Sequence, residues 1–208
     1  MIFALVLGCL AAWILVAEFS RPFYPGFSAT TQPDTVANRN SAASAASLGI
    51  IRGDLWAEYA LSYFDALQGD ANVHDLDVEQ ARKAAERAVA LAPHDARVWL
   101  FLASIDSRFD WLNSRTAAAL RMSYYTGANE AELMPLRLLL AVDSQALSNK
   151  DFRELVRHDI RTIVSRKPEL NPSILAAYRE ALPSGRQFIE ETLDQIDPGL
   201  LAKLRFKE

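Results

Sequence analysis

Apolar and polar positions divide this chain into three stretches. Residues 2–17 carry no charged side chain, Glu18 and Arg21 follow, and Pro22, Pro25 and Gly26 end any helix before them. Between 20 and 47 Ser, Ala, Thr, Asn and Pro dominate, and large aliphatic residues are nearly absent after Phe27. From 48 onward apolar residues recur at helical spacing, with no strand-like alternation. Leu55, Tyr59, Tyr63 and Leu67 mark a helix over 54–67 that Gly69 ends. Asp77 and Gln80 read as a capping box opening an Ala-rich helix to 91, stopped before Pro93. A third helix runs from about 95 to 107–110 and a fourth over 113–125, closed by Gly127. The next covers 130–146, with Pro135 either kinking it or marking its true start. The segment 151–165 is strongly amphipathic, with Phe152, Leu155, Val156, Ile160, Ile163 and Val164 on one face. Asn171-Pro172 opens another helix, Ser184 caps one ending near 196, and Asp197-Pro198 opens a short last one. Helices with short loops and no βα alternation predict an all-α fold and argue against a doubly wound sheet.

The first stretch is at the lower length limit for crossing a bilayer, about 17 apolar residues. A cleaved signal peptide competes, but no basic residue precedes the run and no convincing small-x-small site follows it. A buried soluble helix is the third reading. Leu7-Gly8-Cys9 is a poor lipoprotein signal, since the cysteine comes early and mostly apolar residues follow. Phe19, Phe23, Tyr24 and Phe27 suit a membrane interface, where aromatic rings concentrate. An uncleaved single-pass anchor over 1–19 is favoured, in the inner (cytoplasmic) membrane. The domain is expected on the periplasmic side, although Arg21 and the amino terminus nearly balance as orientation signals. Residues 20–47 read as a flexible linker, because such a composition buries too little apolar area to offset the entropy of ordering. A coil of that length reaches about 25–30 Å. The competing reading starts the first helix within 42–46. The helical domain then covers 48–208.

The whole chain has 208 residues and net charge -4, which disfavours general nucleic-acid binding. About 160 residues remain after the first two stretches, enough for one domain with its own core. The single cysteine, Cys9, excludes a disulfide framework and a thiolate metal site.

Two consecutive patterns stand out within the helical part. The first is Trp56-x2-Tyr59-Ala60-x2-Tyr63 followed by Ala81-x3-Ala85-x2-Ala88-x4-Pro93, and the second opens with Trp99-x2-Leu102-Ala103. This spacing resembles the tetratricopeptide repeat. Trp56 stands at that family's bulky position, Ala60, Ala81 and Ala88 at its small positions, and Pro93 at its helix-ending proline. Trp99, Leu102 and Ala103 match the start of the next repeat. The departures are Ala85, where a larger residue is usual, Asp106, where an aromatic is usual, and about nine extra residues between Tyr63 and Ala81. The small residue of the following helix falls near Ala117 to Ala119, and the pattern fades after Gly127. The resemblance implies an α-solenoid of antiparallel hairpins, completed by degenerate hairpins after 130, and a scaffold for protein–protein interaction. It also implies a concave groove lined by the first helix of each hairpin, with Leu61, Phe64, Leu100, Phe101, Ser104 and Arg108 as partner-binding candidates. The lysines and asparagines that clamp a peptide carboxylate in chaperone-binding relatives are absent. An apolar or amphipathic segment is therefore the better ligand. More loosely, the chain resembles small membrane-anchored repeat proteins that bacteria encode beside exopolysaccharide and envelope functions, a likeness that no motif carries.

Candidate chemistry is thin. His74, His94 and His158 are far apart, and Glu154 with His158 one turn away reads as an exposed helical pair. The polar segment Asp70, Asn72, His74, Asp75, Asp77 lacks the glycine and final carboxylate of a calcium loop. No nucleophile elbow, phosphate-binding loop, dinucleotide fingerprint or zinc-protease motif occurs. Neither an enzyme activity nor a cofactor or metal is expected. Arg153, Arg157 and Arg161 line one helix, followed by Arg166 and Lys167. They form either a patch for an acidic partner or a solvated face balanced by Glu154 and Asp159. The reading that results is a membrane-tethered adaptor of an envelope complex. A structural subunit of a larger membrane assembly and an enzyme accessory with hidden catalytic residues are the alternatives.

Overall fold

A computed structural model describes residues 2–19, 21, 36–69, 75–110 and 114–205. These form twelve α-helices and three short 3-10 helices, with no strand among the described residues. The chain divides into two compact units, Met1–Leu102 and Ala103–Glu208.

The first unit holds α1 (Ile2–Phe19), α2 (Val36–Leu48), α3 (Gly53–Leu61), α4 (Phe64–Gly69), α5 (Asp75–Leu91) and the start of α6 (Ala96–Asp110). Its centre is the antiparallel pair α3/α5. Gly53 at the start of α3 lies against Ala92 just beyond α5, where an added Cβ would sit 2.6 Å from the Ala92 Cβ. At the other end the Tyr63 hydroxyl donates to Gln80 Oε1 at 2.8 Å. Gly53, Ala57 and Ala60 face Ala81, Ala84, Ala85 and Ala88, all buried. Side chains this short let two helix backbones approach closely.

The expected helix over 54–67 breaks into α3 and α4. Ser62 Oγ donates to the Tyr59 carbonyl at 2.7 Å and Tyr63 N bonds Ala60 O at 3.2 Å, which tightens the turn. Helix α5 starts two residues before the expected capping box, leaving Asp77 in its first turn and Gln80 bonded to Tyr63. Asp95 caps α6, its Oδ1 accepting from Arg97 N at 3.0 Å.

Residues 36–47, expected as flexible linker, form most of α2 instead. Ala42, Ala45 and Ala46 are buried on it, and alanine combines the highest helix propensity with a side chain small enough for close packing. Arg39 of α2 lies over the Tyr63 ring, 5.1 Å from its centroid. Residues 22–35 of the expected linker, with the interface aromatics Phe23, Tyr24 and Phe27, lie outside the described residues.

The second unit contains the rest of α6, then α7 (Ser114–Thr126), a 3-10 turn, α8 (Met134–Ala141), a 3-10 turn (Gln145–Ser148), α9 (Lys150–Arg166), a 3-10 turn, α10 (Asn171–Glu180), α11 (Pro183–Ile196) and α12 (Pro198–Arg205). Helix α8 packs on α9 and α10, and α9 on α11. Leu120, Leu133, Met134, Leu138, Phe152, Val156, Ile160, Ile163, Ile174 and Ile189 fill the centre. The Tyr124 and Phe152 rings meet edge to face at 5.4 Å. The helix expected over 130–146 is shorter, because Pro135 sits in the first turn of α8 and Ser144 Oγ caps the next 3-10 turn through Ala146 N. Asn149 caps α9 through Phe152 N at 3.1 Å, and Asp197 caps α12 through Leu200 N at 2.9 Å. Ser184 is not the cap of α11. Leu182 holds that place with Pro183 behind it, and the Leu182 N–H goes to Asp143 Oδ1 at 2.8 Å.

Candidate functional site

Helix α1 has 18 residues and a mean hydropathy high enough to cross a membrane, and only Ala17 on it is buried. Its last turn is built into the first unit. Ala17, 1% exposed, packs with Ala45, Ala46 and Leu55, with Leu48, Trp56 and Tyr59 around them. The charges that end the apolar run close over this contact. Arg52 donates to Glu18 Oε2 at 2.8 Å and to Asp54 Oδ2 at 2.6 Å. Arg21 donates to Glu58 Oε1 at 2.8 Å and to Glu18 Oε1 at 3.2 Å. Partial burial pushes the Asp54 carboxyl up, and the Arg52 guanidinium outweighs it, leaving Asp54 below the usual carboxylate range. Hydrogen bonds to Asp54 and Glu18 raise Arg52, and the bond to Glu58 raises Arg21.

The two tryptophans of the repeat-like patterns make the same contact. Trp56 Nε1 donates to the Ile50 carbonyl at 3.3 Å and Trp99 Nε1 to the Pro93 carbonyl at 2.8 Å, each six residues back. Each indole thus ties a helix to the turn before it. Ala60, Tyr63, Ala81, Ala88, Leu102 and Ala103 are buried, Tyr59 is half-buried, and Pro93 lies exposed in the turn after α5.

Most of the expected groove residues are not on a surface. Leu61, Leu100 and Phe101 are at most 1% exposed, and the Phe64 ring packs on Phe101 with centroids 6.1 Å apart. Ser104 is buried as well, and only Arg108 is exposed. The large apolar side chains of these helices are needed to fill the core, because the small residues of α3 and α5 fill little volume.

The arginines of α9 occupy different environments. Arg153 and Arg157 both lie over the Phe188 ring, at 5.1 and 5.4 Å from its centroid. Arg153 pairs with Glu191 at 3.3 Å and Arg157 with Glu154 at 2.5 Å, while Arg161 is exposed. Arg153 and Glu191 border a cleft of about 490 Å³, lined also by Asp143, Ser148, Ser184 and Gln187. Next to the cleft the start of α11 packs closely on Val142, and a Cβ at Gly185 would lie 2.6 Å from the Val142 carbonyl oxygen. Asp159, read from sequence as part of a solvated face, is fully buried.

Asp159 belongs to a polar cluster inside the second unit. Arg137, also fully buried, donates from Nε to Ser123 Oγ at 3.0 Å, from NH1 to the Gly127 carbonyl at 2.8 Å and from NH2 to the Ser123 carbonyl at 2.5 Å. Its guanidinium covers the Tyr124 ring at 4.9 Å. The Tyr124 hydroxyl lies against the Asp159 carboxyl without closing a well-formed hydrogen bond, and neither Asp159 oxygen has a partner. Burial pushes Asp159 up to about 7, with nearby Arg137 opposing, and drives Tyr124 well above its ordinary value. Burial also lowers Arg137. One signal was present in sequence. Asp159 falls within the apolar stripe of α9, beside Val156, Ile160 and Ile163.

His158 is exposed, with Nε2 3.5 Å from Thr162 Oγ1, and Glu154 turns to Arg157 instead. His94 is exposed, whereas His74, Asp70 and Asn72 lie outside the described residues. Among the described residues no three His, Cys, Asp or Glu side chains gather as metal ligands.

Comparison with protein-family models, with curated proteins and with solved structures finds no match to this chain.

Proposed function

We propose that this chain is a membrane-tethered helical interaction module, an adaptor that holds a segment of a partner protein at the inner membrane of a cell envelope. The observation behind the reading is α1. It is apolar and exposed along its length, yet joined to the first unit by Ala17 and by the Glu18–Arg52 and Arg21–Glu58 pairs. A signal helix destined for removal has no need of such a joint, and the joint therefore favours an uncleaved anchor. The Ala-lined α3/α5 pair and the two equivalent tryptophan contacts support the tetratricopeptide-like reading of the first unit, and with it a scaffold role. For the partner-binding face, burial of Leu61, Leu100 and Phe101 moves the choice to the cleft beside Arg153 and to exposed Arg161 on the same helix.

The test is cross-linking and co-purification of the intact protein from detergent-solubilised membranes, with an intact mass of the purified chain. Retention of residues 1–19 and a stoichiometric envelope protein, lost in the Arg153→Glu/Arg161→Glu variant, is the expected result. A chain beginning after residue 19 in the soluble fraction would refute the anchor. Truncation after Lys167 separates an adaptor from a structural subunit. Complete loss from a membrane assembly, with the cleft variant still bound, would favour the subunit reading.

A further inference from the structure

The most exposed large aliphatic side chains of the first unit outside α1 include an adjacent pair, Ile50 and Ile51, at 53% and 71%. They occupy the two central positions of the turn between α2 and α3, which closes through Arg52 N to Gly49 O at 2.7 Å. Those positions ordinarily take Gly, Pro, Asn or Asp, for reasons of backbone geometry and hydration. Isoleucine there is favoured neither by the turn nor by water.

The turn cannot fold its side chains inward. Gly49 N bonds the Ala45 carbonyl at 2.8 Å, and a Cβ on buried Gly49 would run into Leu55 Cδ1. The Trp56 indole holds the Ile50 carbonyl at 3.3 Å, and Leu55 N bonds Arg52 O at 3.2 Å. Both isoleucines are therefore displayed on a rigid mount.

The position of the mount names its surroundings. Arg52, next to Ile51, donates to Glu18, the first charged residue after the apolar run of α1. Trp56, which holds Ile50, packs on the cluster formed by Ala17. The turn thus sits by Glu18, where α1 passes from apolar to charged, and Phe19, next in sequence to Glu18, is 89% exposed. In a chain anchored by α1 that is the level of the lipid headgroups.

We propose that the Ile50–Ile51 turn is a second membrane contact, inserted at the headgroup–acyl boundary beside the exit of α1 and fixing the orientation of the first unit on the bilayer. The proposal rests on α1 being a retained anchor. The contact is apolar in character, because the charges around it comprise the carboxylates of Glu18, Asp54 and Glu58 against the guanidiniums of Arg21 and Arg52. A slightly negative cluster gives anionic lipid no advantage, so zwitterionic lipid suffices.

The full chain carrying Cys9→Ala is given single cysteines by Ile51→Cys, Leu10→Cys or Leu76→Cys. Each is labelled with an environment-sensitive fluorophore and reconstituted into phosphatidylcholine vesicles, with or without brominated acyl chains. Leu76 is exposed in the first turn of α5, at the end of the α3/α5 pair away from the turn. Brominated lipid should extinguish the label at 10 and at 51 and spare the label at 76. Quenching at 10 with a label at 51 that behaves like the one at 76 overturns the proposal and leaves the anchor standing. An unquenched label at 10 removes the anchor, and the proposal with it. A label at 51 shielded from water but untouched by brominated lipid would show a protein covering the turn, and would equally overturn a lipid contact.

Discussion

Replacing Asp159 by asparagine should remove most of the dependence of this protein's stability on pH between about 5 and 8. The carboxyl is fully buried without a hydrogen-bond partner, and burial holds its pKa at about 7, against an unfolded value near 4. The folded chain therefore keeps this proton over a range in which the unfolded chain has released it. Stability from this group is present in full below about pH 4 and is lost as pH rises through about 7. The slope is at most about 1.4 kcal/mol per pH unit, and the whole span is worth about 4 kcal/mol. Asp54, Glu79 and Glu190, held below their usual range by Arg52, by Lys83 and by Arg205 with Tyr178, act with the opposite sign. Their contributions are lost only as pH falls below about 4.5, outside the window.

The assay is urea unfolding of the full chain in detergent, followed by circular dichroism at several pH values. In the wild type the midpoint should fall from pH 5 to pH 8. In Asp159→Asn it should stay nearly level, since an amide of the same shape has no proton to lose. The clean readout is the slope, because the variant also takes a counter-charge from Arg137, which keeps its bonds to Ser123 and the Gly127 carbonyl. Parallel pH profiles for the two proteins would refute the assignment of the slope to this buried carboxyl.

Three other changes test separate parts of the structure. Arg137→Met leaves Asp159 without its nearby cation and should cost about 3–5 kcal/mol at pH 8, and clearly less at pH 5 where Asp159 is neutral, as read by the same unfolding curves. Gly53→Val forces a branched side chain against Ala92, where even a bare Cβ lies 2.6 Å from its Cβ, and should lower stability by about 1–3 kcal/mol in thermal melts. Arg52→Gln breaks partly exposed pairs worth at most about 1 kcal/mol each, so it should leave global unfolding nearly unchanged. Hydrogen exchange in the last turn of α1 should nonetheless quicken in that variant, because Glu18 loses one of its two arginines.

What could be read in the sequence follows from how local each signal is. Helices α5, α6, α7 and α9 fall within a few residues of their expected limits, because each combines an apolar stripe with a cap, glycine or proline at its ends. Helix α2 was legible only in part, as the competing helix start within 42–46. Its buried face is Ala42, Ala45 and Ala46, which carry no hydrophobic period, and its order comes from packing on α3 and from Arg39 over Tyr63. The break at Ser62 depends on a hydroxyl choosing a carbonyl of its own helix. The same limit applies to the sites. Leu61, Leu100 and Phe101 occupy positions that a regular repeat would turn toward a groove, but whether a large side chain lines a groove or fills a core depends on the volume opposite it. Arg137 and Asp159 lie on different helices, Arg137 between two leucines and Asp159 between His158 and Ile160, and only tertiary packing brings a guanidinium near the carboxyl.

The junction between α1 and the rest of the first unit bears on what the proposed tethering would mean. A helix joined to its domain only by flexible chain restricts the domain to a volume about 25–30 Å across and leaves its angle free. Here α1 also meets the rest of the first unit directly. Ala17 is enclosed by α2 and α3, and the charges at 18 and 21 close on Arg52, Asp54 and Glu58. Under the anchor proposed above, a direct contact of this kind would transmit direction, and the residues that end the apolar run would set which face the first unit turns to the bilayer. The proposed adaptor would then present its surfaces at a defined height and angle, which would lower the entropy lost when a partner engages it. On the proposed anchor and adaptor reading, lengthening 22–35 with Gly-Ser should leave partner co-purification unchanged, whereas Ala17→Arg, which puts a long charged side chain where Ala45, Ala46 and Leu55 meet, should weaken it with the protein still in the membrane fraction.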